Sequence, residues 1–228
     1  MVESEQNDGA SVWHARAAAC ELLALSLRYP DAALVDIVCS EEWSEAAGEI
    51  WGALGIDLEN DWAPAAGGMD LSTLHIEATR LFVGHPHAAC SPYEGFWRAG
   101  DEGVQPLLFV NPHTVEVERF CKSCGLGQPE KTNEPLDHIA TEFELLQYLA
   151  AVEAGIGVLF EGGPLVEDLP GGGAGAAYEI FMADHVLSFA PRLALLLENE
   201  TRIPFYHNVA KLLVTYLERE QLRLQGVV

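Results

Sequence analysis

The sequence predicts an all-α fold, and three observations carry that expectation. Apolar residues recur at helical spacing along most of the chain, the punctuation between these stretches is of the helix-capping kind, and no run alternates polar and apolar residues as a half-buried strand does. The first helix is expected over residues 12–27, an Ala- and Leu-rich stretch that ends before Tyr29-Pro30-Asp31. Ser40 ahead of Glu41-Glu42-Trp43 reads as the cap of the next, with acids in the first turn where the helix dipole favours them. Residues 72–83 place Leu74, Ala78, Leu81 and Phe82 on one face. Residues 84–112 are expected to form one long loop, because Pro86, Pro92, Gly95, Gly100, Gly103 and Pro106 interrupt every periodic pattern.

A helix over 114–121 follows. The clearest helix opens at Glu134-Pro135-Leu136-Asp137, with proline and an acid in the first turn and Ile139, Phe143, Leu146 and Leu149 on one face, running to about Val152. Residues 155–175 contain eight glycines and read as a mobile surface loop or an insertion. Helices over 178–197 and 204–224 close the chain, the last with Phe205, Val209, Leu212, Leu213, Tyr216 and Leu217 on one side. The organisation expected is an acidic polar tail over 1–12 and one compact helical domain over 13–228.

Composition narrows the function. The 228 residues carry 35 Asp and Glu against 12 Lys and Arg, a net charge of −23, with only three lysines. Nucleic-acid binding is excluded, since a phosphate backbone is held by neutralising it. Residues 1–61 hold 13 of the acids and two arginines; this density reads as a solvated surface. A hydrophobic fraction of 49% supplies a sizeable core. No secretory segment is expected at the polar, acidic start, and the longest apolar neighbourhood, residues 186–197, is broken by Pro191 and Arg192 and too short to cross a bilayer. A cytoplasmic protein with five reduced cysteines is expected, without stable membrane insertion.

Several constellations compete for chemistry. Gly171-Gly172-Gly173-Ala174-Gly175 lacks the Lys-Ser/Thr of a phosphate-binding loop. Cys121-Lys122-Ser123-Cys124 has metal or redox spacing, and His85, His87, Cys90 and His113 would complete a zinc set; the alternative is two unliganded thiols beside a glycine turn. Asp137-His138 is the one adjacent acid and imidazole pair, with Glu142 a turn beyond.

The pair stands inside a longer run. Glu134-Pro135-Leu136-Asp137-His138-Ile139-Ala140-Thr141-Glu142 resembles the E-P-x-D-H-hydrophobic-x-x-E segment of the TorD/DmsD/NarJ family of cytoplasmic chaperones that mature molybdenum-cofactor oxidoreductases. Three further segments are similar to that family in the same order. They are Arg80-Leu81-Phe82-Val83-Gly84 with Ser91-Pro92-Tyr93-Glu94, then Asp184-His185 through Phe189 to Pro191, then Ile203-Pro204-Phe205-Tyr206 with Val209-Ala210. Phe189 stands where the family usually has Trp, Ala78 where an aromatic is frequent, and Cys90-Ser91 replaces the first proline of a common pair.

The resemblance implies an all-helical chaperone that is not an enzyme and has no cofactor of its own, acting as a monomer or homodimer. Its partners would be the twin-arginine signal peptide and the apo form of a molybdoenzyme catalytic subunit of the dimethyl sulfoxide reductase superfamily. By the same resemblance the binding residues are Glu134, Asp137 and Glu142 as anionic acceptors, His138 as a donor or a support for Asp137, and Leu81, Phe82, Pro92 and Tyr93 as groove walls. The alternative is a zinc or dithiol protein built on Cys121, Cys124 and nearby histidines.

Overall fold

The computed structural model describes residues 2–58, 69–84, 87–104, 111–127, 135–160 and 162–227, with side chains from residue 9 onward. Among these residues the protein is all-α. Ten α-helices occur: α1 (Val2–Leu27), α2 (Ala32–Cys39), α3 (Glu42–Ala53), α4 (Leu71–Ala78), α5 (Glu94–Asp101), α6 (Pro112–Ser123), α7 (Ile139–Glu153), α8 (Ala174–Phe181), α9 (Leu187–Glu200) and α10 (Pro204–Leu224). Wide π-turns extend α4 over Thr79–Val83 and join α8 to α9 over Met182–Val186.

The bundle is organised around α1 packed along α7 and α10 packed along α9, with α8 against α7 and α3 against α1. Their shared interior is aromatic: Trp43, Trp51, Phe143, Tyr178, Phe181, Phe189, Phe205, Tyr206 and Tyr216 are all fully buried. Most polar tips inside it are satisfied, the Tyr206 hydroxyl being the exception. Trp43 Nε1–H donates to Ser26 Oγ at 2.9 Å, Trp51 Nε1–H to Thr215 Oγ1 at 2.9 Å, and the Tyr178 and Tyr216 hydroxyls share a bond of 2.5 Å. Arg16 and Arg223 both pair with the buried Glu220, tying the two ends of the chain together.

Local chemistry explains most of the boundaries. Asp31, Asp70 and Asn111 cap α2, α4 and α6, their side chains accepting from the N–H of Leu34, Thr73 and His113. Four expectations need correction. α1 begins at Val2, ten residues ahead of the start expected for the first helix at residue 12. Ser40 closes α2 instead of opening α3; the residue before α3 is Glu41, in the left-handed region with φ 69° and no side-chain cap. The stretch expected as one loop over 84–112 contains α5, because Asp137 accepts from the Gly95 N–H of its first turn where the preceding Tyr93 provides no side-chain cap. Residues 85–86 and 105–110 of that stretch lie outside the described residues.

The fourth correction concerns α8 to α9. Pro191 lies inside α9, as in the helix expected over 178–197, but 174–200 is one helical run, so the apolar stretch expected to be too short is long and apolar enough by length and composition to cross a membrane. Half of its most apolar window is buried inside the bundle, and Arg192 is held outside it by Asp101 at 2.6 and 2.8 Å. The Gly-rich stretch is partly anchored. It forms two short 3-10 turns, Leu169 is buried, and the Gly175 N–H donates to Glu153 at 2.8 Å.

Candidate functional site

Two of the segments that resemble the chaperone motifs, 80–94 and 137–142, meet at one place, and backbone hydrogen bonds bring them there. The π-turn ends where Gly84 N–H donates to Thr79 O, an i to i+5 bond of 2.7 Å. The chain then doubles back along the turn, Ala89 N–H donating to Arg80 O at 3.2 Å and Cys90 N–H to Leu81 O at 2.7 Å. Next, Tyr93 forms an antiparallel bridge with His138: Ile139 N–H donates to Pro92 O at 2.8 Å and Glu94 N–H to Asp137 O at 3.0 Å. Pro92 and Tyr93 are thereby laid beside the start of α7.

Between these segments and the end of α1 lies a cavity of about 450 Å³, lined by Leu27, Arg28, Tyr29, Phe82, Val83, Pro92, Tyr93, His138, Ala140 and Thr141. Four of the expected residues, Phe82, Pro92, Tyr93 and His138, share this groove. Leu81 does not. It faces the core with no exposed surface, one helical step from Phe82, whose ring packs edge-on against Tyr206 at 5.4 Å. Glu134 lies outside the described residues. Sequence reasoning missed Leu27, Arg28, Tyr29, Val83, Ala140 and Thr141, since nothing local marks a helix end as groove wall. Tyr29 and Val83 are more than half exposed, an unusual cost for apolar surface at an otherwise buried junction.

Asp137 is not in the first turn of α7, as expected, but ahead of it, and its carboxylate points away from the groove. It is 1% exposed; Oδ2 accepts from Gly95 N–H at 2.9 Å and from Thr114 Oγ1–H at 2.8 Å. It thus caps α5 from another part of the chain and staples α5 and α6 to the start of α7. Burial raises its pKa, against the lowering effect of these two donors.

Glu142 lies deeper still, 1% exposed, within reach of Asp137 and of Glu94, which is wholly buried. Glu94 accepts from Arg98 at 2.6 Å and faces His185 Nδ1 at 3.0 Å, while neither Glu142 oxygen accepts a hydrogen bond from a described donor. Burial first, and then the charges of Glu94 and Asp137, push the Glu142 pKa well above the usual carboxylate range. A proton on Glu142 supplies the bond to Glu94 that two carboxylates cannot make. Glu142→Gln should therefore be tolerated. The native state binds this proton more tightly than the unfolded chain, so stability falls as pH rises above the ordinary carboxylate value. The Gln variant should lose that slope and melt about 2–4 °C higher at pH 8, about 1 kcal/mol; thermal melts of both proteins from pH 5 to 8 decide it, and a lower melting temperature for the variant at pH 8 rejects a protonated Glu142.

His138 caps α7, its Nδ1 accepting from Ala140 N–H at 3.1 Å, and its ring meets Tyr93 edge-on at 5.2 Å. Burial, and then the positive charge of Arg28, lower its pKa to about 4. The ring is neutral at physiological pH with Nδ1 as acceptor, which puts the proton on Nε2. Because the folded value lies below the ordinary 6.5, the unfolded chain binds the proton better, and stability is lost as pH falls from 6.5 toward 4. The loss is about 3 kcal/mol. Replacing His138 with asparagine, which caps a helix without titrating there, should flatten this acid limb in denaturant titrations at pH 4.5 and 7.

The competing cysteine chemistry finds no support in the arrangement. Cys121 and Cys124 are 4% and 0% exposed, and burial pushes their thiols up to about 12 and about 11, opposite to the shift of a reactive thiolate. Among the described residues, no group of three or more His, Cys, Asp and Glu is placed to hold a metal ion. His113 is instead held by Glu102 at 2.8 Å, and His85 lies outside the described residues.

Residues 40–194, more than half of the chain, match the family of the nitrate reductase delta subunit. The fold is similar to a crystal structure of a protein described as a redox enzyme maturation protein from Archaeoglobus fulgidus, with a TM-score of 0.52, 19% sequence identity, and coverage of 89% of this chain and 93% of that one. At that identity the likeness concerns the fold. No curated protein sequence matches the chain significantly.

Proposed function

Since the chain belongs to the nitrate reductase delta subunit family, of the NarJ/TorD type, we propose that it is a redox-enzyme maturation chaperone for a molybdenum-cofactor oxidoreductase of the dimethyl sulfoxide reductase superfamily. It binds the apo form of the catalytic subunit through the client's N-terminal leader, of the twin-arginine type or derived from it, and holds the client until the cofactor is inserted. It acts in the cytoplasm, as a monomer or homodimer, and catalyses no reaction of its own.

The observation that carries this reading is the groove itself. An apolar leader segment needs a preformed channel of aromatic and aliphatic walls with a few polar anchors. The groove between α1, the π-turn, Tyr93 and the start of α7 has that composition and opens where two of the family-like segments converge. Capture from the native cytoplasm on the immobilised full chain, read by mass spectrometry, should recover a molybdoenzyme catalytic subunit. The same subunit made in cells lacking the chaperone should contain less than about a tenth of its molybdenum. Full molybdenum loading without the chaperone would refute the proposal.

A further inference from the structure

Two of the groups that line the groove can only donate to a peptide, while the hydroxyls of Tyr29, Tyr93 and Thr141 beside them can donate or accept. His138 spends Nδ1 on capping α7, so the remaining polar atom of this groove-lining ring is Nε2–H. Arg28 brings a guanidinium to the same wall, its side chain 60% exposed and ion-paired with Glu144 of α7. The carboxylates expected to receive a guanidinium are committed elsewhere: Asp137 caps α5, and Glu142 faces Glu94 in the interior. An arginine pair entering here would meet the like charge of Arg28, and the carboxylate beside it, Glu144, is already paired with Arg28. A peptide's apolar stretch brings the opposite chemistry, with backbone carbonyl oxygens ready to accept.

We infer that the groove holds its peptide through donors, His138 Nε2–H and the Arg28 guanidinium, so that it takes an apolar stretch presenting carbonyl oxygens while the arginine pair of a leader stays outside. The inference rests on the reading of this groove as the leader site and deepens it. Arginines ahead of the apolar stretch then feel only the acidic surface at long range, an attraction that salt removes. His138 is a specificity element in this arrangement and Asp137 a positioning residue.

Three fluorescein-labelled peptides test it by anisotropy against the full chain at about 0.3 M salt, where long-range attraction is screened. One carries Arg-Arg ahead of a Leu- and Ala-rich segment, one has both arginines replaced by glutamine, and one keeps the arginines but has serine for every leucine. The first two should bind within about threefold of each other, and the third more than about tenfold more weakly. His138→Asn keeps the cap and removes the groove donor, and should weaken the first two about tenfold with an unchanged melting temperature at pH 7. A loss of more than about tenfold on replacing the arginines would overturn the inference and leave the leader reading standing, as would full binding by His138→Asn. Saturable binding of none of the peptides would remove the leader reading and the inference with it.

Discussion

Gly84→Ala is expected to be the most damaging single-methyl change in this protein, with a stability loss of about 4 kcal/mol and a melting temperature lower by about 10 °C. Two independent physical causes act together. The residue sits at φ 51° and ψ 157°, a backbone conformation open to glycine and costly for any residue with a side chain. A Cβ built there would also lie 2.2 Å from His87 O and 2.5 Å from both Cα and N of Ala88. These are backbone atoms, and they cannot retreat, because Ala89 and Cys90 are hydrogen-bonded back to Arg80 and Leu81 of the π-turn. The return of the chain that lays Pro92 and Tyr93 against His138 depends on this crossing, so the groove should be lost along with stability. Gly100→Ala is the control: a Cβ at Gly100, inside α5, meets nothing within 4 Å. That variant should be neutral or gain up to about 1 kcal/mol. Circular-dichroism melts of the two variants decide the matter, and equal melting temperatures would contradict the crossing.

Asp137→Ala is expected to cost about 2–4 kcal/mol, because it leaves the Gly95 amide and the Thr114 hydroxyl buried without their acceptor. Asp137→Asn keeps one oxygen in place and should cost less than about 1 kcal/mol, since Oδ1, where the amide nitrogen goes, makes no hydrogen bond. The contrast separates a tether from an ionic acceptor. If Asp137 met a client guanidinium directly, Asn would fold normally and bind poorly; as a tether, Asn should both fold and bind, whereas Ala should lose stability and groove together. Urea titration of the three proteins, with leader binding measured on each, gives the answer. The crowding at Gly95 points the same way: a Cβ there would lie 2.9 Å from Asp137 Oδ2, Thr114 Oγ1 and Asn111 Nδ2, so this corner has no slack.

Periodicity and capping chemistry made much of the fold legible. The stripe Leu74, Ala78, Leu81 and Phe82 is buried as its spacing predicts, the α10 stripe from Phe205 to Leu217 lines the core, and Pro204 opens its helix at the first turn. These are local effects, decided within a few residues by backbone sterics and by which side chain lies within reach of a free N–H. Helix α5 was not legible because its stabilising partners, Asp137, His185 and Arg192, are remote from it in sequence. Ser40 misled for a related reason: it has the chemistry of a helix start, yet it lies where α2 is still closing.

The candidate site divides along the same line. Two of the four ordered motifs hold the residues Phe82, Pro92, Tyr93 and His138 that line one groove. What the sequence by itself determined was therefore the all-α class and the family, together with four residues that share the candidate groove. Only the tertiary structure decided which way each polar group points. Leu81 and Phe82, adjacent in the chain, face the core and the groove respectively. Asp137 and His138, also adjacent, end as a buried tether and a groove donor. A one-residue step along a helix or an extended segment turns the side chain through a large angle, and whether it then meets water, a cavity or another carboxylate depends on elements that arrive from far along the chain. The burial that follows sets the charge: proximity to Glu94 and exclusion of water keep a proton on Glu142, and burial beside Arg28 keeps one off His138. Residue types alone do not contain that information, because a pKa belongs to a place in the fold.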